Sequence, residues 1–464
     1  MKKLFCFLWQ GTKIIGLNLK KGIKTHPIAF WPGVFFALFI LIYTFIFHTS
    51  FSYMGNTDTS VLTMVFSQFK GVVIFFFLKV LFSYFVIFVF LNLLFYFGLK
   101  KIEVFLHKKF SSLVLKINII AFLFLTVLFQ FFKSLIYYPG LYYDSFYQKR
   151  VIFKKITHTI TQFFHPYVFF IIQYVFLGLF LALVLWYFYP LFMHKILKPV
   201  LRFFSLQLNL RHKKWLFLFL LPLVLLLSFS FFKSFSKKNH SYNILILAAD
   251  SLRPDHFSGY GYSKPTTPHI NTLIQQGLSF RNVYSCVPRT FPAWVSILTS
   301  QNPQNHGIRH MFPTNKTRNK NFHALPFVLK QKNYHTFVSG DFAADIFPRI
   351  NLGFKNIDAP SLNFSLLIKQ IMIQNQPFLM AFFTNNIGRK WFPCLKGHAN
   401  WVEPSFITQS LKKQIKKAQS SNIPFFGLGF YSSTHFPFAV PYPYYKKFTN
   451  PNYQGPYKYL KTKF

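Results

Sequence analysis

Residues 243–250 read NILILAAD, an apolar run that ends in a single carboxylate. Such a run, bounded by polar residues, is typical of a β-strand. Further along, HINTLIQQ before Gly277 has helical spacing, and HTFVSGD (335–341) and PFFGLGFY (424–431) again read as strands. Strands that alternate with helices predict a mostly parallel sheet with helices on both faces. We therefore expect an α/β domain over residues 241–464.

The first 240 residues differ from this domain because long apolar runs dominate them. Of the 464 residues in the chain, 52% are hydrophobic and 68 are Phe, whereas only 9 are acidic. A hydrocarbon core of about 30 Å requires an apolar helix of about 20 residues. Uncharged runs near that length predict five transmembrane helices in domain 1–240, at 28–47, 80–98, 117–132, 167–193 and 215–232.

Basic residues set the predicted orientation of this bundle. The net charge of +43 comes from clusters between apolar runs, a pattern that favours charges flanking membrane spans and excludes nucleic acid as the expected partner. Six lysines precede the first predicted span, whereas Lys70 and, directly at the start of the second span, Lys79 lie between the first and the second. We therefore predict a multi-pass protein of the cytoplasmic (inner) membrane whose residues 241–464 lie on the extracytoplasmic, periplasmic side. The loop between spans three and four is also basic, which counts against this orientation.

Asp250 ends the first predicted strand of the α/β domain. Ligands of open α/β sheets gather at the carboxyl ends of strands, so a carboxylate here suits a metal ion. Aspartate also starts turns, and the position alone does not distinguish a metal ligand from a turn residue.

The stretch that runs from ILILAAD to NHGIRH resembles the opening of the sulfatase and alkaline-phosphatase superfamily. In sulfatases the nucleophile begins a Cys-x-Pro-x-Arg motif, and a Thr-Gly pair starts nine residues later. Thr290 stands nine residues before Thr299 and two before Pro292, so this register puts Thr290 at the nucleophile position. Trp294 takes the place of the arginine, and Ser300 takes the place of the glycine.

Threonine is not the nucleophile expected of a true sulfatase. Sulfatases convert Cys or Ser to formylglycine, and a threonine is not expected to give that aldehyde. Threonine is the nucleophile of the related lipoteichoic acid synthases and phosphoethanolamine transferases, which the chain also resembles in its five predicted spans before an external domain. The resemblance implies an alkaline-phosphatase-like fold and a phosphoryl (or sulfuryl) hydrolase or transferase that acts on membrane lipids and envelope glycans.

A structural role for Thr290 stays open beside the catalytic one. The helix is expected to start near Pro292, and a threonine hydroxyl there could simply cap it, which is worth about 1 kcal/mol. The amide groups of the same helix end would also suit a bound phosphoryl group. One threonine can serve both roles.

The resemblance implies a substrate histidine and a metal ion. His435, in the run FYSSTHFPF, is similar to a family histidine that contacts the substrate or its leaving group. A divalent ion is implied at Asp250, zinc first, with Ca²⁺, Mg²⁺ or Mn²⁺ as alternatives. The family takes further ligands from an Asp-His-Gly stretch that this sequence lacks, so we expect a domain truncated at its carboxyl end and an incomplete metal site. Asp255 and His256 are not expected to replace those ligands.

The remaining candidates leave alternatives open. Cys286 and Cys394 either pair outside the cytoplasm or stay as thiols. His306 is expected to be structural, and Cys394 with His398 lacks the second pair of a zinc signature. A truncated, inactive family member that binds without turnover is the alternative function. A transporter is disfavoured because no predicted span carries an ionisable pair, and the oligomeric state cannot be read from the sequence.

Overall fold

The computed structural model describes residues 28, 30–48, 59–107, 109–142, 241–450 and 452–453. These residues form two compact units. The first contains the described residues up to Lys133 together with Asn375–Leu379. The second contains 134–142, 241–374 and the described residues from 380 onward. The predicted spans at 167–193 and 215–232 lie outside the described residues.

Long apolar helices build the first unit: α1 (Trp31–His48), α2 (Thr59–Phe105) and all but the end of α3 (Ser112–Tyr137). Within the described residues, two segments are long and apolar enough to cross a membrane, Ser67–Val104 in α2 and Ser112–Tyr137. The apolar part of α1 is shorter. The two long helices suggest a membrane anchor, and the count of five spans stays a prediction.

Helix α2 is much longer than the apolar run that predicted it. The run at 80–98 lies inside a helix of 47 residues, which corresponds to about 70 Å at 1.5 Å per residue. Non-helical dihedral angles at Phe69 mark a kink. Charged residues such as Lys100 are good helix formers, so a helix continues beyond the residues that suit lipid. The runs at 28–47 and 117–132 overlap α1 and α3.

The helices of the first unit turn apolar side chains outward and pack closely inside. Phe35, Phe75 and Leu113 are 64%, 71% and 66% exposed. An apolar outer face suits a helix in contact with lipid. Between α1 and α2, a Cβ on Gly33 would lie 2.6 Å from the carbonyl oxygen of Phe88, so this approach requires glycine.

A parallel sheet forms the centre of the second unit. Its described strands are β1 (Ile244–Ala249), β2 (His335–Gly340), β3 (Asn356–Asp358) and β4 (Phe425–Tyr431), in the spatial order β1-β4-β2-β3. All three pairings are parallel. The mostly parallel α/β sheet predicted from the sequence is therefore confirmed. Strand β3, with three residues, is too short to show a hydrophobic period in the sequence.

The described helices after α3 are mostly short. They are α4 (Pro139–Tyr142), α5 (Pro268–Gln276), α6 (Thr290–Thr299), α7 (Pro303–His306), α8 (Asn315–Arg318), α9 (Leu325–Gln331), α10 (Phe364–Gln374), α11 (Pro377–Phe383), α12 (Asn386–Trp391), α13 (Pro404–Ser420) and α14 (Tyr444–Lys447). Short 3-10 helices occupy Pro254–His256, Ser258–Tyr260, Phe342–Arg349 and Pro393–Gly397.

Helices cover both faces of the sheet. Successive residues of β2 point in opposite directions, because side chains of a strand alternate. Val338 joins a core cluster with Phe291 of α6, and Phe337 joins a second cluster with Leu411 of α13. A Cβ on Gly427 of β4 would lie 2.5 Å from the Phe337 ring, so glycine permits the dense packing under α13. Helix α6 is thereby fixed to one face of the sheet.

Residues 134–142, at the end of α3 and in α4, belong to the second unit. The N–H of Tyr442 donates to the carbonyl oxygen of Tyr137 at 2.9 Å. The Tyr445 hydroxyl donates to the carbonyl oxygen of Ile136, also at 2.9 Å. The unit therefore includes chain from well before its first strand, and the predicted domain boundary at residue 240 stays a prediction.

Candidate functional site

Three strands end side by side at the edge of the sheet where the predicted site residues lie. Asp250 follows β1, Asp341 follows β2 and Ser432 follows β4. The N–H of Asp250 donates to the carbonyl oxygen of Tyr431 at 2.8 Å. The Thr434 hydroxyl donates to the carbonyl oxygen of Asp250 at 2.6 Å. These bonds fix the Asp250 backbone against the end of β4.

The Asp250 carboxylate lies beside both other predicted site residues. Burial raises the pKa of this carboxyl above its ordinary value. The charge of His435 and the nearby hydroxyls of Ser251 and Thr290 act in the opposite direction. Oδ1 accepts from the Ser251 hydroxyl at 3.4 Å, whereas Oδ2 is buried and has no hydrogen-bond partner among the described residues. The site thus brings Asp250, Thr290 and His435 together around an available carboxylate oxygen.

Thr290 is the first residue of the ten-residue helix α6. The helix begins two residues before the expected start at Pro292, and its N-cap position is held by Arg289 in an extended conformation. Thr290 therefore does not occupy the cap position, which was the structural alternative to a catalytic role. The N–H of Phe291 donates to Sδ of Met311 at 3.4 Å and Pro292 has no N–H, so this helix end attracts anions mainly through its dipole. The Thr290 hydroxyl lies at this end of α6, close to Asp250.

The two departures from the sulfatase pattern have structural explanations. Trp294 is 6% exposed and packs on Phe347 and Phe430, with ring centroids 5.7 Å and 5.2 Å away. An unpaired arginine in this place would bury a charge at high cost. Ser300 follows α6 in the left-handed conformation, with φ 56° and ψ 26°, where glycine is favoured. Trp294 therefore belongs to the core, and Ser300 keeps the backbone conformation of a glycine.

His435 lies on the loop that follows β4. Its N–H donates to the carbonyl oxygen of Ser432 at 3.0 Å, and its Nδ1 donates to the carbonyl oxygen of Phe436 at 2.5 Å. Its ring meets the edge of Phe342 at 5.5 Å. A carbonyl oxygen only accepts, so Nδ1 carries the proton of the neutral ring and Nε2 carries the lone pair. The loop therefore fixes both the direction and the tautomer of the imidazole.

Asp341 is a buried carboxylate of the same edge that our interpretation of the sequence missed. It is 8% exposed, and its Oδ2 accepts from the N–H of Ser432 at 3.1 Å. Its Oδ1 has no hydrogen-bond partner in the part of the chain that the structure describes. Burial raises its pKa to about 6 against opposing hydrogen bonds from Ser432 and the backbone. The sequence did carry a signal, because HTFVSGD ends in aspartate just as NILILAAD does.

Other candidates from the sequence have different surroundings. Asp255 is exposed and forms an ion pair with Arg253, with 2.5 Å between the guanidinium and the carboxylate. His306 is buried, its Nε2 lies 3.0 Å from the Ser296 hydroxyl, and its Nδ1 accepts from the N–H of Ile308. Since Nδ1 accepts, Nε2 donates to Ser296, so His306 connects α6 to α7 instead of activating a nucleophile.

The two cysteines of the second unit do not form a disulfide. Cys286 is exposed and Cys394 is buried. The thiol of Cys286 donates to Oδ1 of Asn302 at 3.2 Å. His398 is buried, and burial lowers its pKa to about 4, so its ring is neutral at pH 7. Neither cysteine is part of a metal site within the described residues.

The donor atoms around Thr290 are mainly oxygens. No three side chains of His, Cys, Asp or Glu are grouped to hold a metal ion within the residues described. The available Oδ2 of Asp250 beside the Thr290 hydroxyl suits an oxygen-preferring cation such as Mg²⁺, which proteins hold with one or two carboxylates plus substrate phosphates. It does not by itself make the three-ligand site of a catalytic zinc. The identity of the ion stays a prediction.

Comparison with known proteins supports the sulfatase and alkaline-phosphatase superfamily for the second unit. The sequence profile of the Sulfatase family matches residues 242–460, which include Asp250, Thr290 and His435. An N-acetylgalactosamine-6-O-sulfatase of Bacteroides thetaiotaomicron is 28% identical over 121 residues, 26% of this chain and 24% of that protein. An arylsulfatase of Clostridium perfringens is 31% identical over 116 residues, 25% of this chain and 23% of that protein. The matched region covers about a quarter of the length of these curated relatives, and it supports an enzyme of the hydrolase type.

Proposed function

We propose that this chain is a membrane-bound, sulfatase-like enzyme that hydrolyses or transfers phosphoryl-linked groups through an adduct on Thr290. The observation that supports this most is the position of the Thr290 hydroxyl, at the amino end of α6 and beside the half-buried carboxylate of Asp250. Threonine in this register supports the branch of lipoteichoic acid synthases and phosphoethanolamine transferases over formylglycine sulfatases.

The proposed reaction begins with attack by Thr290 Oγ on the phosphorus atom. The bond from phosphorus to the leaving oxygen breaks, His435 in its protonated form donates a proton from Nε2 to that oxygen, and the Thr290 proton passes to solvent. The neighbouring Asp250 carboxylate orients the hydroxyl, and the positive end of the α6 dipole stabilises the phosphoryl oxygens. A divalent cation held by Asp250 would supply charge neutralisation and a lower hydroxyl pKa. Water or an acceptor hydroxyl then displaces Thr290.

The proposed substrates belong to the cell envelope. Membrane lipid is the donor, and a lipid or envelope glycan is the acceptor. The two helices long enough to cross a membrane, together with the loop charges, support a multi-pass protein of the cytoplasmic membrane whose α/β domain lies outside the cytoplasm. Nucleic acid is not a partner in this proposal.

The names of the two relatives favour sulfate-ester hydrolysis as a second candidate function. Both relatives are sulfatases, and phosphoryl and sulfuryl groups offer similar oxygens to a helix end. Thr290 argues against this candidate, because the aldehyde of sulfatases is not expected from threonine. An inactive, binding-only protein is the third candidate, and the single carboxylate beside Thr290 favours it, since one ligand holds a metal weakly.

Adduct mapping on the full chain in detergent distinguishes these candidates. We expect a phospholipid with a labelled headgroup to add mass to the Thr290 peptide, with loss of turnover in Thr290→Ala and adduct formation retained in Thr290→Ser. Cys286→Ser is the matched control and should leave turnover unchanged. Loss of turnover in Cys286→Ser with full activity in Thr290→Ala would show that the register is wrong. Turnover of aryl sulfates alone supports the second candidate, and turnover of neither ester supports the third.

A further inference from the structure

Asp341 holds the same place on β2 that Asp250 holds on β1. Each is the first residue after its strand, and β4 lies between the two strands. Ala249 pairs with Tyr431 and Gly340 pairs with Phe430, so the two strands end within one residue of the same level. The two carboxylates therefore flank the end of β4 from opposite sides.

The loop after β4 lies between the two aspartates. Neighbouring strands lie about 4.8 Å apart, so the ends of β1 and β2 are separated by about 10 Å. The Asp341 carboxylate covers part of this gap, because its Oδ2 accepts from the N–H of Ser432 at 3.1 Å. On the other side, the carbonyl oxygen of Asp250 accepts from the Thr434 hydroxyl at 2.6 Å. Both aspartates thus contact the loop that follows β4.

Four oxygen atoms at this place are buried without a hydrogen bond within the described part of the chain. They are Oδ2 of Asp250, Oδ1 of Asp341, Oγ of Ser432 and Oγ of Ser433. A buried polar atom that has no partner is uncommon in folded proteins, and a group of them indicates water or an ion. Oxygens from two carboxylates and two hydroxyls are the ligands that hard divalent cations prefer.

The guanidinium of Arg389 compensates the negative charge of Asp341 only in part. Asp341 and Glu403 both act on the guanidinium of Arg389, whose own pKa burial lowers to about 10. Among the described residues, however, no ion pair joins Arg389 to Asp341. Glu403 shares the same guanidinium, so the charge of Asp341 is only partly offset. A cation at this edge would neutralise the remaining negative charge.

We propose that Asp341 is a second carboxylate ligand, with Asp250, of a divalent cation at the end of β4, and that the cation is an oxygen-preferring ion such as Mn²⁺ or Mg²⁺. The inference rests on the cation of the proposed function and adds to it a ligand on β2. The alternative role of Asp341 is to hold the loop after β4 through Ser432 without touching a cation.

Mn²⁺ binding to the full chain in detergent tests the proposal without any turnover. Calorimetry and the electron paramagnetic resonance of bound Mn²⁺ should show one site, weakened at least about tenfold in Asp341→Asn and in Asp250→Asn. Asp345→Asn is the matched control, because Asp345 is another buried carboxylate and pairs with Arg349 at 3.3 Å. It should bind Mn²⁺ within about twofold of the unmodified chain.

Replacing the carboxylate of Asp341 by a thiolate tests whether this side chain binds the metal, because a purely structural role would not change the metal preference. Asp341→Cys should shift preference from Mn²⁺ toward Cd²⁺ by about tenfold, because thiolates select soft metals, whereas Asp345→Cys should not. This variant also serves if Asp341→Asn fails to fold. An unchanged ratio of Mn²⁺ to Cd²⁺ affinity in folded Asp341→Cys would overturn the proposal.

The outcomes separate this inference from the proposed function. Binding that depends on Asp250 but not on Asp341 overturns the inference and leaves the Thr290 reaction standing. A chain that binds no Mn²⁺ at millimolar concentration overturns the inference, and adduct mapping on Thr290 then decides the proposed function independently.

Discussion

Replacing Trp294 by alanine should loosen the helix that carries Thr290 from the sheet. The indole is 6% exposed and contacts Phe347 and Phe430. A buried tryptophan removes about 150–250 Å² from water, which at about 25 cal/mol per Å² amounts to roughly 4–6 kcal/mol. Partial collapse of the cavity reduces the expected loss to about 3–5 kcal/mol. In a domain of this size, that loss lowers the melting temperature by roughly 6–20 °C.

The assay is thermal unfolding of the full chain in detergent, followed by circular dichroism at 222 nm and compared at one scan rate. Ile297→Ala is the matched control on the same helix, because Ile297 is 59% exposed. A surface truncation of this kind should cost about 0.5 kcal/mol. If Trp294→Ala melts within about 2 °C of Ile297→Ala, the tryptophan does not hold α6 to the sheet and our description of this core is wrong.

Three further predictions concern stability and topology. Ser300→Gly should stabilise the chain by roughly 0.5–1 kcal/mol in the same assay. The left-handed conformation costs a non-glycine residue about 1–2 kcal/mol, and the greater chain entropy of glycine in the unfolded state offsets part of this gain. A lower melting temperature of Ser300→Gly would contradict the prediction. Burial raises the pKa of Asp345 to about 6, above its unfolded value, against the opposing charge of Arg349. The protonated carboxyl therefore stabilises the fold at low pH, and this stabilisation is lost as pH rises through about 6. Between pH 4 and 7, the melting temperature of the unmodified chain should fall more than that of Asp345→Asn. Equal falls in the two melting temperatures would count against this pKa. A reporter enzyme fused at residue 240 should be active only if it functions outside the cytoplasm, and activity of a cytoplasm-only reporter would reverse the topology.

Strands β1, β2 and β4 could be predicted because they are continuous apolar runs. In the structure β2 and β4 are buried almost throughout, whereas every second residue of β1, at the edge of the described sheet, is exposed. The pairing of β1 with β4 could not be predicted, because strand order depends on contacts between residues far apart in the chain. The full length of α2 was also not predicted, because the hydrophobic run covers only the apolar part of the helix.

Prediction of the site depended on resemblance more than on local pattern. Asp250 could be proposed from its position after a strand, but Thr290 and His435 required the order and spacing of a known family. Asp341 was missed because an aspartate after a strand is common in turns. Its significance comes from its burial and its contact with Ser432, which exist only after β2 and β4 pair. Truncation before an Asp-His-Gly motif stays a prediction.

The bonds from Tyr442 and Tyr445 to residues 136–137 bear on how this protein responds to proteases. Helix α3 is continuous from Ser112 to Tyr137, and its last turn lies among residues of the sheet-bearing unit. A single nick between 143 and 240 would leave 134–142 held by these bonds in a two-chain molecule, so cleavage alone would not release the sheet-bearing unit. A recombinant fragment that starts at 241 would lack a packed segment, and co-expression of a 134–142 peptide offers a route to restore it.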